Sequence, residues 1–208
     1  MVQDYNVTKT IQFIKEQNEL QKEVKLTMTH ITGHALAIGL HKMRRDIGRY
    51  VWGYFKHSKD IGLTCLVNIE GGVDLVPVTI WNGHEMSLME FTKAIDVKIK
   101  RAQAKKDTQH NQSTLIMNYI PSFLAQPLVT VATYLSLAVG VSIKPLGLSP
   151  EAFGHVILTN VGGMGYQQGF APLCPPMRSI GLFAVGTTRK MPWVVDNEIV
   201  IQDIMNVT

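Results

Sequence analysis

From Thr108 to Ile143 the chain carries no Asp, Glu, Lys or Arg. A segment this poor in charge needs cover from the rest of its domain, from another subunit or from lipid, because contiguous exposed apolar surface is unfavourable. Pro121 and Pro127 break it, and Thr130, Thr133, Ser136 and Gly140 dilute it. Its longest uninterrupted apolar part, about Leu128 to Ile143, falls short of the ~20 residues that cross a bilayer. We read residues 108–150 as an apolar helical insertion, packed on the domain or on another subunit, and not as a membrane span.

The 208 residues form one ordinary domain or two small ones, able to bury roughly 70% of the surface of the unfolded chain. With 46% hydrophobic and 17% charged residues, disorder and collagen-like architecture are excluded. The formal charge of +4, from 20 basic and 16 acidic side chains, reads as a mild excess spread along the chain. It points weakly to an anionic ligand and argues against nucleic acid as a partner. Cys65 and Cys174 have no CxxC partner and read as reduced core residues. Asp4, Glu16 and Glu19 near the amino terminus fit neither an export signal nor an arginine-rich transit peptide.

Helices and strands alternate without a regular βα repeat, which predicts an α+β domain with a mixed or antiparallel sheet. Asn6 or Thr8 is placed to cap a surface helix marked by Ile11, Ile14 and Leu20. A second helix is expected over Thr29 to Met43, with Ile31, Ala35, Ile38 and Leu40 as its apolar face. Ile61 to Val67 and Leu75 to Ile80 read as strands joined near Gly71 and Gly72, and Pro77 implies an edge or a bulge. Ser87 and Glu90 have the spacing of a capping box, opening an amphipathic helix to about Lys106. Strand signals return at His155 to Asn160, Ile180 to Val185, Trp193 to Val195 and Glu198 to Ile201, the last two flanking an Asp196-Asn197 turn.

Isolated motifs carry little chemistry. His30, His34 and His41 lie near one helix face, but no acidic residue or cysteine nearby completes a metal site, and none is expected. The glycine-rich turn from Gly162 to Gly165 follows a strand, yet Gly169 and Pro172 beyond it oppose the helix that a dinucleotide cradle requires. No Gly-x-Ser-x-Gly elbow is present.

The order of segments says more. Phe153 to Gly162 (Phe-Gly-His-Val-Ile-Leu-Thr-Asn-Val-Gly), Ala171 to Pro176, Gly181 to Gly186 and Val194 to Val200 together resemble the catalytic domain of the 2-oxoacid dehydrogenase acyltransferases. Lys25 to Ile31 resembles the entry to that family's first conserved helix, and Gly72 to Val78 its Gly-Leu-x-x-Pro-Val strand. The resemblance spans about Asn6 to Thr208 and is nearest to a compact subset without lipoyl domains, in which an apolar, proline-bounded segment like Leu124 to Pro127 precedes the Thr-Asn strand.

It implies a chloramphenicol-acetyltransferase-like mixed sheet flanked by helices, residues 1–208 being a single acyltransferase-type domain. It also implies acyl transfer between thioester and thiol, with coenzyme A or acyl-CoA as substrate and a lipoyl group as possible acceptor. Thr159 matches the hydroxyl that donates to the oxyanion, and Asn160 and Gly162 fall where the coenzyme binds. The family's general base lies in a His-x-x-x-Asp-Gly motif beyond the strand that begins at Met205, and none of the seven histidines here stands in such a motif. The chain also reads as lacking the helix and strand that precede the Asn6 segment in the family. The alternative is therefore a non-catalytic structural or assembly subunit. In either case the resemblance implies a homotrimer or higher oligomer, possibly with catalytic paralogues or a dehydrogenase complex, in the mitochondrial matrix or in a prokaryotic cytoplasm.

Overall fold

The computed structural model describes the chain except residues 22–23, 52, 70–73, 102–125, 128–129, 132–133, 136–152 and 173–178. Most of the insertion at 108–150, the turn at Gly71 and Gly72, and Cys174 lie outside the described residues. The helix-bearing elements are α1 (Thr8–Leu20), α2 (Met28–Lys42) and α3 (88–101). The strands are β1 (Gln3–Asn6), β2 (Gly48–Val51), β3 (Tyr54–His57), β4 (Gly62–Ile69), β5 (Asp74–Trp81), β6 (Val156–Asn160), β7 (Gly181–Val195) and β8 (Glu198–Val207).

Six strands form one sheet in the order β1-β8-β7-β6-β4-β5, and β2 and β3 make a separate two-stranded ribbon. β6 runs parallel to both β4 and β7, while the outer pairs are antiparallel. The α+β class with a mixed sheet is therefore as expected. Pro77 sits in β5, the edge strand, where its missing N–H costs no ladder bond on the free side.

Several local expectations need correction. A strand does precede the first helix: Gln3 to Asn6 pairs with Val207 to Ile204. Its alternation is too short and polar to stand out, and the pairing with β8 makes it a strand. Val7 rather than Asn6 or Thr8 is the cap residue of α1. Asn6 Oδ1 accepts from the Thr8 amide at 3.1 Å, and the Thr8 hydroxyl accepts from the Asp203 amide instead. In α2 the buried residues are His30, Gly33, Ala37 and Leu40, while Ile38 is exposed. The small residues of this helix suggest close packing on a sheet, and Gly33 and Ala37 do pack there, Gly33 lying against Phe91 and Leu158, while Ala35 and Gly39 are exposed. The segments at 180–185 and 193–195 are one strand, β7, continuous through a bulge between Val185 and Thr188.

The core lies between the sheet and the helices. Leu63, Cys65, Val78, Ile80, Val156, Leu158, Val185 and Met205 meet Ala37, Leu40, Phe91 and Ile95 there. Ser87 and Glu90 do form the capping box: the Ser87 amide donates to Glu90 Oε2 at 2.8 Å and the Glu90 amide to Ser87 Oγ at 3.3 Å. Those bonds hold the Glu90 carboxyl below its ordinary range. At the start of β6, Gly154 takes φ +58°, and a Cβ there would fall 2.7 Å from the Gly62 carbonyl oxygen, so only glycine lets the two strands approach. His155 then locks them, its Nδ1 accepting from the Gly62 amide at 3.0 Å and its Nε2 lying 2.7 Å from Ser58 Oγ. No helix among the described residues is long and apolar enough to cross a membrane.

Candidate active site

The carboxyl ends of β4 and β6 open onto a cavity of about 560 Å³ between the sheet and helices α2 and α3. Leu66, Val67, Ile95 and Ile99 form an apolar wall; Lys25, Thr27, Thr29, His30, Asp96 and Asn160 supply polar groups. This is the end of a parallel strand pair, where open α/β sheets place their ligands. The Asn160 amide donates to Thr29 Oγ1 at 2.8 Å, and its carbonyl accepts from the Gly163 amide at 3.2 Å. One side chain thus ties the end of β6 to the start of α2 and to the glycine-rich turn.

His30 is buried, and its Nδ1 is engaged by Thr27. The Thr27 amide donates to Nδ1 at 3.2 Å, which leaves the proton of the neutral ring on Nε2. Nε2 lies 3.9 Å from Asp96 Oδ1, too far for a hydrogen bond. Burial holds the His30 pKa below the ordinary histidine value, against an upward pull from Asp96. With Nδ1 held by the Thr27 amide, the neutral ring presents its Nε2–H on the cavity wall. Cys65 also lines the cavity, and burial pushes its thiol up to about 12, so it is a packed thiol and not a nucleophile.

Thr159 and Asn160 are consecutive, so their side chains leave opposite faces of the sheet. Asn160 faces the cavity; Thr159 does not line it. Thr159 is buried in the row Leu66, Thr159, Ala184, and Ala184 exchanges both backbone bonds with Thr208. Its hydroxyl makes no hydrogen bond to a described residue, unlike that of Thr64, which meets Thr79 Oγ1 at 2.8 Å. Gly162 lies beside neither group. A Cβ there would come within 2.6 Å of the Gly186 carbonyl, so the residue lets the turn pack on β7, while Gly163 borders the cavity.

The three α2 histidines are not brought together. His30 turns to Thr27, His34 Nε2 donates to the Met86 carbonyl at 2.8 Å, and His41 stacks on His84 at 3.9 Å. Among the described residues no group of three or more potential ligands is placed to hold a metal. Sequence reasoning missed Asp96, which sits inside an ordinary amphipathic pattern and carries no local signal. It also missed Lys25 and Thr29 as cavity residues, although both fall within the segment Lys25 to Ile31 that carries the resemblance.

A mixed sheet with helices packed on one face, and a cavity at the ends of its parallel strands, defines an α+β domain. Residues 146–208 match the family described as 2-oxoacid dehydrogenases acyltransferase (catalytic domain). The whole chain superimposes on 71% of a probable dihydrolipoamide acetyltransferase from Listeria monocytogenes, with a TM-score of 0.64 and 14% identity. It likewise covers 69% of the subunit of a cubic core of the pyruvate dehydrogenase multienzyme complex, at TM-score 0.67 and 15% identity. A third structure, dihydrolipoamide acetyltransferase from Azotobacter vinelandii, gives 0.66 and 14% over 69% of its length; a serine, a histidine and an asparagine were investigated in its catalytic mechanism. No curated protein matches the sequence. The chain has the fold of these cores, and its last third carries the sequence signature of their family.

Proposed function

We propose that the chain is an acyltransferase domain that moves an acyl group between a thioester and a thiol, coenzyme A and dihydrolipoamide being the exchanging pair. The observation that carries this reading is the match of residues 146–208, since that segment holds the Thr159-Asn160 pair. The thiolate adds to the thioester carbonyl, the resulting oxyanion collapses, and the departing thiolate takes back a proton. A hydroxyl donating to the oxyanion stabilises that intermediate selectively. Thr159 is suited to the role because its hydroxyl is engaged by no described residue and is held on a central strand.

In this reading the cavity takes the arm of coenzyme A, a narrow chain of alternating amides and methylenes, and the thiol end passes the end of β6 to reach Thr159 on the opposite face of the sheet. The cavity combines an apolar wall with the Asn160 amide and the His30 Nε2–H, and exposed Lys25 contributes positive charge for a phosphate. Gly162 supports this arrangement through backbone packing. The base that takes the thiol proton is, in this reading, supplied by another subunit. That places the site at a boundary between protomers of a homotrimer or larger assembly.

Acyl exchange between acetyl-CoA and dihydrolipoamide by the full gene product tests the proposal. Thr159→Val is expected to lower exchange by about 10²–10³-fold, the usual loss for one oxyanion donor, with coenzyme A affinity unchanged. Exchange that survives the substitution removes Thr159 from the mechanism; exchange undetectable in the unsubstituted product removes the enzyme reading. The second reading is an assembly subunit without turnover. It requires co-purification with a catalytic paralogue, and an active homo-oligomer excludes it.

A further inference from the structure

The positive charge, expected from the overall composition to be spread along the chain, is concentrated in one segment. Residues 42–60 contain Lys42, Arg44, Arg45, Arg49, Lys56 and Lys59 against Asp46 and Asp60, six basic and two acidic, a net +4 that equals the formal charge of all 208 residues. The remainder is therefore balanced. Among the described residues Lys42, Arg44, Arg45, Lys56 and Lys59 are exposed and none forms an ion pair.

This segment carries the β2–β3 ribbon, whose anchoring contacts among the described residues lie at its base. Ile47 is buried, the Ser58 amide donates to the Ile47 carbonyl at 3.1 Å, and Ser58 Oγ meets His155. Beyond that anchor every residue of β3 is exposed. Tyr50 and Phe55 pack edge to face at 5.3 Å, and Tyr54 is 80% exposed. Among the described residues each strand pairs only with the other, so each has one edge whose amides and carbonyls face no strand.

We propose that the described residues of the segment, 42–51 and 53–57, form a docking surface for an extended acidic segment of another protein. The cations attract carboxylates and raise the rate of encounter. The free strand edge takes main-chain hydrogen bonds from an added strand, and the tyrosines cover its side chains. A nucleic acid or a lipid headgroup satisfies the charge but cannot continue a β-ladder, and the unpaired edge favours the polypeptide. Nothing in this surface touches the cavity or Thr159, so it stands independently of the acyltransferase reading.

The test uses the full chain and a fluorescent ten-residue peptide of alternating Glu and Val, read by anisotropy. Two comparison probes are a single-stranded oligonucleotide of equal charge and vesicles containing phosphatidylserine. The peptide is expected to bind, to weaken steeply as salt rises, and to lose about tenfold or more in affinity when Arg44→Glu, Arg45→Glu and Lys56→Glu are combined. N-methylation of alternate peptide amides is expected to cost a similar factor, because it removes the ladder bonds. If the triple variant fails to fold by circular dichroism, Lys56→Glu alone serves, with a smaller loss expected. Tighter binding of the oligonucleotide or the vesicles, or indifference to N-methylation or to charge reversal, overturns the proposal.

Discussion

β6 and the β2–β3 ribbon are both short, yet one is buried from Val156 to Thr159 and the other is exposed throughout β3. β6 is flanked by two parallel neighbours and pressed on one face by α2 and α3, so its residues are held from every side. The ribbon is held by its base and its own ladder. A rigid strand can fix a hydroxyl and an amide on opposite faces at its end, as Thr159 and Asn160 are fixed; an exposed ribbon can offer only edges and charges. The proposed chemistry and the proposed docking thus fall on segments packed to different degrees.

The contrast can be broken most forcefully at Leu158, which is fully buried beneath α2. Leu158→Ala is expected to cost about 2–5 kcal/mol, read as a fall in the urea midpoint without a change of slope. A loss below 1 kcal/mol would mean that β6 is not the packed centre. Asn160→Ala is expected to cost less, about 1–3 kcal/mol, because it leaves the Gly163 amide and Thr29 hydroxyl without their partner. The same variant should weaken coenzyme A binding, measured by calorimetry, if the cavity holds that ligand.

Acid sharpens the comparison more gently. Because the folded His30 pKa is depressed by burial, the unfolded chain binds the proton more readily as pH falls through and below about 6.5. His30 therefore contributes a loss of stability on acidification, and His30→Gln should flatten the dependence of unfolding free energy on pH between 7 and 5. An unchanged slope would show that the imidazole titrates normally. At the far end of the scale, Tyr54→Ser on the ribbon should shift stability by no more than about 0.5 kcal/mol, as exposed substitutions do. A large shift would mean that the ribbon is packed and not presented.

The elements of the domain were readable wherever periodicity and caps agreed. Ser87 and Glu90 announced α3, Pro77 marked an edge, and Val156 to Leu158 read as a continuously apolar strand. β1, β2 and β3 carried no such signal, since four polar or aromatic residues become a strand only by finding a partner. At the site, Thr159 and Asn160 were visible as neighbours in a motif. That they face apart, and that Asn160 is joined to Thr29, 131 positions away in the chain, was not.

Composition and segment order on their own determined an α+β domain, an acyltransferase-like strand-turn segment and a cluster of charge in residues 42–60, because these depend on residue type and local spacing. The tertiary structure alone decided that His30 and Asp96 line one cavity, that Thr159 lies beyond the sheet from it, and that among the described residues the basic ribbon pairs with no third strand. The physical reason is that non-local pairing sets which groups meet, and pairing is settled by the burial and hydrogen bonding of the whole sheet, which no single segment encodes.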